Sequence, residues 1–574
     1  MTDPVPQHCD LIVVGSGAAG MLAAVRAHDL GLKVVMIEKT ASYGGTSAIS
    51  GGGIWVPMNF DIAGEDSAAD ALDYLKACTR GAVPDATLAA YVAQAPRMAE
   101  YLRDGAGVPL ASIRPLPDYL SRLPGAARGR TLAPGDMDGK QLGEAYFQLR
   151  EPYSYLRLMG RLSINNFEAG VLGAKAPGWK RLIFRLLRNY WLDPAWRRRT
   201  RRDARLCNGQ ALVGWLRLAM QRRGIPLLLG TRLDRLERGA DGRIVGVRAR
   251  RNGQELSIPA RRGVILAAGG FESNQPMRDR YLDGTSSARF SATPRGINEG
   301  DAIRAGEAAG ARLDGMHLLW RAPVMRMPVA GESNVDFALP LFWDRGAPGS
   351  LCVNRAGDRF VDEAVAYDEF GGAMIADNAR SGDNLPCWMI FDAACRKRSL
   401  IGPLMPGEMT PDSKLPPEWL GQVYHRADTL AQLARDIDMD PARLAATVDK
   451  FNQAARTGTD EDFDRGGSMY DQFWGNPAIK PNGSLAPLEQ GPFYAVRLDL
   501  GDLGTKGGLA IDGNARVLGA DAPIPGLYAV GNCSASIFAD AYPGAGGTLG
   551  PALTMAMLAA EAAAEAETDV EGGA

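Results

Sequence analysis

Residues 9–38, CDLIVVGSGAAGMLAAVRAHDLGLKVVMIE, constrain this chain more than any other stretch. Asp10–Val14 is a short apolar, β-branched run, the pattern of a strand covered on both faces. A glycine turn, Gly15-Ser16-Gly17-Ala18-Ala19-Gly20, follows at once and opens an alanine-rich helix. Gly15 permits the tight turn and Gly17 lets the backbone approach a pyrophosphate at the helix N-terminus. Gly20 lets helix and strand pack closely. A second strand, Lys33–Glu38, ends in an acid 18 residues after Gly20, placed to accept from a ribose hydroxyl. A glycine turn alone recurs in many folds. Strand, turn, helix, strand and terminal acid in this order specify a Rossmann-like dinucleotide-binding half of a doubly wound parallel sheet.

This element does not by itself separate NAD from FAD, but no second complete fingerprint appears that would hold a nicotinamide cofactor. Two later runs return to the same kind of sheet: RGVILAAGGF (Arg262–Phe271), which ends in Gly269 and Gly270, and GLYAVGN (Gly526–Asn532). After the second comes TLGPALTMAMLAAEAAAEAE, where Pro551 suits the first turn of a helix. Backbone N–H groups around Leu549–Ala552 would present the positive end of that helix to an anion. A reduced flavin carries such charge at its pyrimidine end. Both ends of the chain are therefore expected to build one FAD-binding domain, about 1–283 and 490–574. A mixed α/β catalytic domain, about 284–489, is expected to be inserted in it and to close over the flavin. Within it, TLAQLARDIDMDPARLAATVDKFNQAA reads as a helix pair turned at Pro441.

Composition removes several alternatives. A net charge of −2 offers no global basic field to recruit nucleic acid. The seven cysteines are scattered without a Cys-x-x-Cys pair, which argues against a disulfide framework, a zinc site or an iron–sulfur cluster. The four histidines belong to no nucleophile motif, so neither a metal site nor a catalytic triad is expected. TDEDFDRGG (459–467) lacks the spacing of a calcium loop and reads as solvated surface. MTDPVPQHCD has neither the basic nor the apolar region of a signal peptide, and no run of about 18 apolar residues occurs. A cytoplasmic location is expected. Only DVEGGA at the C-terminus reads as disordered.

Four further motifs occur together: GGTSAISGGGIWVP after Glu38-Lys39, VNRAGDRFVDEAVAYDEFG, DLGTKGGL and YPGAGGTLGPA. In combination they resemble the FAD-dependent 3-ketosteroid 1-dehydrogenases of the fumarate reductase/succinate dehydrogenase flavoprotein group. The likeness is to the longer form, whose insertion resembles that of cholest-4-en-3-one 1-dehydrogenases, and it covers nearly the whole chain except about 131–205. It implies FAD held by Gly15, Ser16, Gly17, Ala18, Ala19 and Gly20, by Glu38 and Lys39, and by Gly45, Thr46, Ser47, Ser50, Gly51 and Gly52. Gly269, Gly270, Asn532, Leu549, Gly550 and Ala552 complete the implied contacts. It further implies that Tyr119 (in LPDYL), Tyr367 and Tyr542 are the active-site tyrosines and that the Gly546 N–H assists Tyr542. Members of the family often have a second tyrosine where this chain has Leu120. Tyr470, in GGSMYDQFWG, is expected near the pocket. The fumarate reductases of the group need an arginine at the position of Tyr367 and a histidine in the loop that reads LGTKGG here. A dicarboxylate demands such cations, and this chain has neither.

The implied reaction removes hydrogens from carbons 1 and 2 of a 3-ketosteroid, turning a 3-keto-4-ene into a 1,4-diene-3-one in steroid and cholesterol degradation. Carbon 2 lies alpha to the ketone, so its proton becomes acidic once the oxygen is stabilised as an enolate. Tyr542 O–H and Gly546 N–H would supply that stabilisation, worth about 3 kcal/mol per donor. Tyr367 would take the proton while hydride passes from carbon 1 to FAD. A phenol of pKa ~10 is mostly protonated at neutral pH, so Tyr367 needs Tyr119 to share and relay the proton. A 3-ketosteroid 4(5α)-dehydrogenase would use Tyr542 and Gly546 equally, and Tyr119 beside Tyr367 favours 1-dehydrogenation. A non-catalytic membrane-associated flavoprotein is the remaining alternative. A quinone or another carrier would reoxidise the flavin.

WKRLIFRLLRNYW (Trp179–Trp191) stands apart from all of this. Trp179, Leu182, Ile183, Leu186, Leu187 and Tyr190 recur at helical spacing as one apolar stripe, with Lys180, Arg181, Arg185 and Arg188 largely off it. Between Lys175 and Arg205 there are eleven basic residues against two acidic ones. Two readings remain for this basic insertion, 131–205: a helix packed on its own protein with a solvated basic face, or an interfacial helix that holds the protein on an anionic membrane surface through 175–205, which the tryptophans and the RRRTRR run favour.

Overall fold

In the computed structural model, which describes residues 8–153, 157–173, 176–282, 286–328 and 336–566, the strand Cys9–Val14 lies inside a parallel sheet. Its order is Arg516–Leu518, Pro523–Ala529, Gln254–Leu266, Cys9–Val14, Val34–Ile37, Leu227–Leu228. All neighbours run parallel except the first pair, which is antiparallel. Side chains of successive residues point to opposite faces of a strand, so the apolar run serves two cores. Leu11 and Val13 pack on the side of the helices Ala18–Asp29 and Leu549–Glu565. Ile12 and Val14 pack on the other side with Phe271, Ile303 and Leu509. The two helices flank each other, and Arg26 pairs with Glu561 at 2.6 Å. The doubly wound sheet expected from both ends of the chain is present.

A second sheet is antiparallel throughout, in the order Asp336–Pro340, Leu319–Pro328, Phe493–Thr505, Cys387–Phe391, Ser350–Val353, with His425–Ala427 also on Phe493–Thr505. The helix Tyr367–Ser381 packs on it, with Phe370 and Met374 meeting Met325, Phe391 and Leu500. The expected division at 489/490 assigned Phe493–Thr505 to the flavin side, whereas its hydrogen bonds place it at the centre of this sheet. Alternation within one strand does not say which sheet it joins. At the other end, Ala302, Ile303, Ala305 and Met316 remain in the core beneath the first sheet, so the chain crosses over near Leu319 rather than at 284. Residues 283–285, where that division was expected, lie outside the described residues. The helix pair around Pro441 is present as Leu430–Asp436 and Pro441–Thr457, with the Asp440 carboxylate accepting from the Ala442 N–H. The acidic turn is not solvated throughout. Asp460 is buried and pairs with Arg359 at 2.8 Å, and Arg465 is buried against Glu363 at 2.9 Å.

The expected insertion also starts late. Thr131–Pro134 pairs with Ile54–Trp55 and Leu110–Ser112, so it belongs to the body of the fold. Trp179–Trp191 is a helix, as its periodicity predicts, but Leu182 and Leu186 are buried with Leu172, and Tyr190 is buried with its hydroxyl donating to the Arg201 carbonyl at 2.9 Å. The apolar stripe expected to face lipid packs inward. Lys175 of the basic count and DVEGGA lie outside the described residues.

Candidate active site

The glycine turn shapes a cradle. Gly15 sits at φ +104° beside the Ala267 carbonyl, a left-handed conformation that a side chain would strain. A Cβ on Gly20 would fall 2.2 Å from the Gly15 oxygen, so strand and helix touch there. Gly17 differs. A Cβ on it would meet only the Ser47 hydroxyl, at 3.5 Å, and would otherwise enter open space. Among the described hydrogen bonds none uses the N–H of Gly17, Ala19 or Gly20, and the Ala18 N–H donates to Ser47 Oγ at 3.1 Å. Three unspent amides at the positive end of a helix, with room above them, fit the pyrophosphate of FAD.

The remaining cofactor candidates surround this cradle or line the way from it to the second helix. Glu38 is buried, and its carboxylate accepts from Ser16 N–H and O–H and from Thr40 N–H and O–H, at 2.6 to 3.2 Å. These donors occupy its acceptor sites, so a ribose hydroxyl would have to displace one of them. Lys39 pairs with Glu299 and Asp301 at 2.9 and 2.7 Å. Gly45, at φ +53°, packs against Gly17, and Thr46 accepts from Asn298 at 2.8 Å. Ser50 Oγ donates to the Ser47 carbonyl and accepts from Gly52 N–H, while the Gly51 carbonyl accepts from Asn166 of the basic segment. Gly269, at φ +80°, abuts Asn298, and a side chain on Gly270 would strike the Thr505 hydroxyl. At the far end Asn532, Thr548 and Ala552 line a small cavity with Trp320 and Lys506. Gly550 sits tight against the Trp55 carbonyl, and the Leu549 N–H is unused among the described hydrogen bonds.

Residues distant in sequence meet above this floor. Tyr119, Tyr367, Tyr470 and Tyr542 form one buried cluster with Trp320, Ala322 and Ala366. Tyr367 opens the helix Tyr367–Ser381. Tyr119 is held by its N–H donating to the Pro543 carbonyl, at 3.0 Å, one residue past Tyr542. The Tyr367 hydroxyl donates to the Tyr542 hydroxyl at 2.7 Å, a good O–H···O distance. Tyr119 approaches Tyr367 at 3.4 Å, just beyond that range. The Tyr119 ring meets those of Tyr367, Tyr470 and Tyr542 edge-on at 5.5, 5.3 and 5.2 Å, and Leu120 follows it without contributing a hydroxyl. Gly546 sits at φ +91°, and a Cβ there would collide with Gly53 at 2.4 Å. Its carbonyl accepts from Trp55 and Gly550, and its N–H is unused among the described hydrogen bonds.

Burial dominates the electrostatics of the cluster. It pushes the Tyr119 and Tyr367 phenols well above their ordinary range, with the neighbouring tyrosines adding to the rise. It raises Tyr542 to about 12, and the hydrogen bond from Tyr367 works the other way. Burial also raises Tyr470. At neutral pH all four are therefore neutral phenols.

Several residues of this site escaped the sequence reading. Trp320 stacks edge-on over Tyr542 at 4.8 Å and donates to Asn532 at 3.3 Å. Phe342 meets the Tyr367 ring at 4.9 Å. Lys506 is buried with its ammonium over Trp320, and Glu272, also buried, has one oxygen without a partner among the described residues. Of these four, Lys506 alone lies within one of the motifs, LGTKGG. No metal-holding cluster of acids, histidines and cysteines occurs among the described residues.

The model of the FAD binding domain family matches residues 10–549. A 3-oxosteroid 1-dehydrogenase of Comamonas testosteroni is 41% identical over 560 residues, covering 96% of each chain. A protein of the same name from Mycolicibacterium smegmatis is 36% identical, covering 96% of this chain and 97% of the relative. Among solved structures, 3-ketosteroid Δ1-dehydrogenase from Sterolibacterium denitrificans, in complex with 1,4-androstadiene-3,17-dione, superposes with a TM-score of 0.92. It is 46% identical and the match covers 97% of this chain and all of that one.

Proposed function

The chain belongs to the FAD-dependent 3-ketosteroid 1-dehydrogenases, and from that premise we propose how its own residues carry the reaction. The protein is an FAD-dependent oxidoreductase of steroid metabolism that removes hydrogens from carbons 1 and 2 of 3-ketosteroids. FAD held over the Gly15–Gly20 cradle would supply the acceptor for the hydride of carbon 1.

The observation that carries the assignment of roles is the 2.7 Å contact between Tyr367 and Tyr542 inside a buried aromatic cluster. Because Tyr542 accepts from Tyr367, its own proton is available to a ketone oxygen. The unspent Gly546 N–H is the second donor for the same oxygen. Together they stabilise the enolate that forms as carbon 2 loses its proton. Tyr367 receives that proton on its oxygen. It is a neutral phenol that directs its own proton to Tyr542 and lies on the acceptor side of Tyr119, so both bonds have to turn over in the same event: the Tyr367 hydroxyl swings toward Tyr119, which takes that proton and passes its own outward. The 3.4 Å between Tyr119 and Tyr367 has to shorten for this, as catalytic hydrogen bonds do when substrate arrives. The aromatic walls exclude water and present flat faces to a fused-ring ketone. Anaerobic bleaching of the flavin by androst-4-ene-3,17-dione, with the product identified by NMR as the 1,4-diene, is expected. A Tyr367→Phe protein that still turns over at near-normal rate removes Tyr367 from the role of base. Formation of only the 4-ene from a 5α-saturated ketone overturns 1-dehydrogenation.

We also infer a peripheral contact with anionic membrane through 175–205, made by a different face from the one periodicity suggests. Phe184, Trp191 and Leu192 are 67%, 59% and 74% exposed. They share one side of the helix with exposed Arg181 and Arg188, at spacings of three and four residues. Phe167 stands out from the preceding helix at 81%. Exposed aromatics flanked by arginines suit an anionic lipid interface, where each basic residue contributes about 1 kcal/mol. No helix among the described residues is long and apolar enough to cross a membrane. A ketone that keeps a long apolar side chain, such as cholest-4-en-3-one, resides in the bilayer, which gives the contact its use. A quinone carrier for reoxidation fits the same location. Flotation with anionic vesicles at low salt is expected, and its loss when Phe184, Trp191 and Leu192 become serine. Wild-type protein that stays at the bottom of the gradient refutes the contact.

A further inference from the structure

Four charged residues outside the tyrosine cluster form a closed set beside it. Arg321 donates from its backbone N–H and its guanidinium to Asp368, at 2.9 and 3.0 Å, and from the guanidinium to Asp540 at 3.0 Å. The Lys506 ammonium donates to the Asp540 carbonyl at 2.6 Å and lies 3.4 Å from the carboxylates of both Asp368 and Asp540. Lys506 and Asp368 are buried, the Arg321 side chain is largely so, and the Asp540 side chain is half exposed. Two cations and two anions balance. Burying Lys506 costs several kcal/mol unless it is compensated, and these partners supply the compensation.

The positions of these residues give the set its meaning. Asp368 directly follows Tyr367, in the first turn of its helix, and Asp540 stands two residues before Tyr542. Arg321 and Asp368 belong to the antiparallel sheet and the helix packed on it. Asp540 lies on the loop that leads to Leu549–Glu565 on the flavin side, and Lys506 follows the strand Phe493–Thr505 as the chain crosses back. The seam between the two halves of the fold is thus bridged twice within a few residues. One bridge is the Tyr367–Tyr542 hydrogen bond and the other is the charged set. Lys506 also lies 4.7 Å above the Trp320 ring, which in turn meets Tyr542.

We propose that Arg321, Asp368, Lys506 and Asp540 are positioning residues, an ionic clamp across the seam that sets the distance between the Tyr367 and Tyr542 oxygens. None of the four charged groups is described in contact with either hydroxyl, so the clamp acts through the backbone of the two segments it ties. It rests on the roles given above to Tyr367 and Tyr542. Loosening it lets the two tyrosines drift. A misplacement of about 1 Å in a catalytic constellation can cost about 10²-fold in rate.

The test uses flavin-loaded full-length protein and the rate of anaerobic flavin reduction by androst-4-ene-3,17-dione. Asp540→Ala changes a half-exposed side chain and is expected to fold. Its limiting rate should fall by about tenfold or more, short of the ~10²-fold bound above. Its flavin content and half-saturating steroid concentration should stay near wild type, and Asp540→Glu, which restores the charge, should recover most of the rate. Lys506→Met should fall further. If it does not fold, the Asp540 pair alone decides. A wild-type rate in Asp540→Ala overturns the clamp, as does a loss that appears only as weaker steroid binding or one that Asp540→Glu does not relieve. If Tyr367→Phe is itself fully active, the assigned roles fail rather than the clamp. An inactive Tyr367→Phe beside a fully active Asp540→Ala fails the clamp alone.

Discussion

Replacing Tyr542 by phenylalanine removes one oxygen and little else, which makes its consequence calculable. The ring keeps its contacts with Trp320 at 4.8 Å and Tyr119 at 5.2 Å, so no cavity opens. Two separate losses follow. The first is the donor proposed for the ketone oxygen, worth about 2.7–4 kcal/mol in the transition state, or about 10²–10³-fold in kcat. The second is the acceptor for the Tyr367 hydroxyl, at 2.7 Å in a buried site, and an unpaired buried hydroxyl costs about 1–3 kcal/mol of stability. The protein should therefore fold, bind flavin and melt at a slightly lower temperature, while flavin reduction slows by at least about 10²-fold. The two tyrosines work as one hydrogen-bonded unit. Tyr367→Phe and Tyr542→Phe should accordingly be strongly non-additive, the double variant being hardly worse than the poorer single one. Stopped-flow reduction of the four proteins under anaerobic conditions measures both quantities. A fall of less than about tenfold for Tyr542→Phe is too small for a lost oxyanion donor and would refute the reasoning, as would a double variant whose loss is the product of the two single losses.

Gly17→Val should give folded but colourless protein, because the new side chain meets only Ser47 in the chain itself and fills the space left for the pyrophosphate. A yellow Gly17→Val protein argues against that site. Burial holds Tyr119 and Tyr367 neutral at pH 7, so the population able to accept a proton grows as pH rises toward their elevated pKa values. The rate of flavin reduction should climb by up to about tenfold per pH unit between pH 7 and 9, and Tyr367→Phe should lose the dependence. A flat wild-type profile contradicts this. Arg130 is buried between Asp66 and Asp118, at 2.6 and 2.8 Å, so Arg130→Met should lower stability by about 3–5 kcal/mol, read from urea unfolding.

How much of this the chain displays before it folds depends on whether a feature is local. The strand, turn and helix of 9–38 lie within one short stretch, and each glycine does a job that backbone geometry alone defines, so fold and cradle were legible together. The tyrosines were legible only because Tyr119, Tyr367 and Tyr542 each sit in a motif of a known family. Nothing in composition or spacing predicts that hydroxyls 175 and 248 residues apart come within 3.4 Å. Trp320, Phe342 and the partners of Lys506 carry no such motif and stayed hidden. Glu38 illustrates a different limit. Its place at the end of a strand was readable, but the four donors from Ser16 and Thr40 that occupy its carboxylate depend on the fold of the turns around it.

The basic helix marks where periodicity stops being informative. A stripe of leucines at 3.6-residue spacing says that one face is covered, and covering by protein or by lipid leaves the same pattern in sequence. Here Leu182, Leu186 and Tyr190 pack inward. Part of the basic run is then spent within the fold, Arg185 and Arg205 on Glu168, Arg199 on Glu144 and Arg202 on Glu151. What distinguishes a surface that meets lipid is the apolar residue off the stripe, which core packing does not explain. Phe184 falls between basic residues at 181, 185 and 188, and its exposure there is what the proposed lipid contact rests on. The same segment reaches the Gly45–Gly52 loop, since Asn166 donates to the Gly51 carbonyl. A surface contact made at Phe184 is therefore one short helix and one hydrogen bond removed from the loop that borders the pyrophosphate cradle.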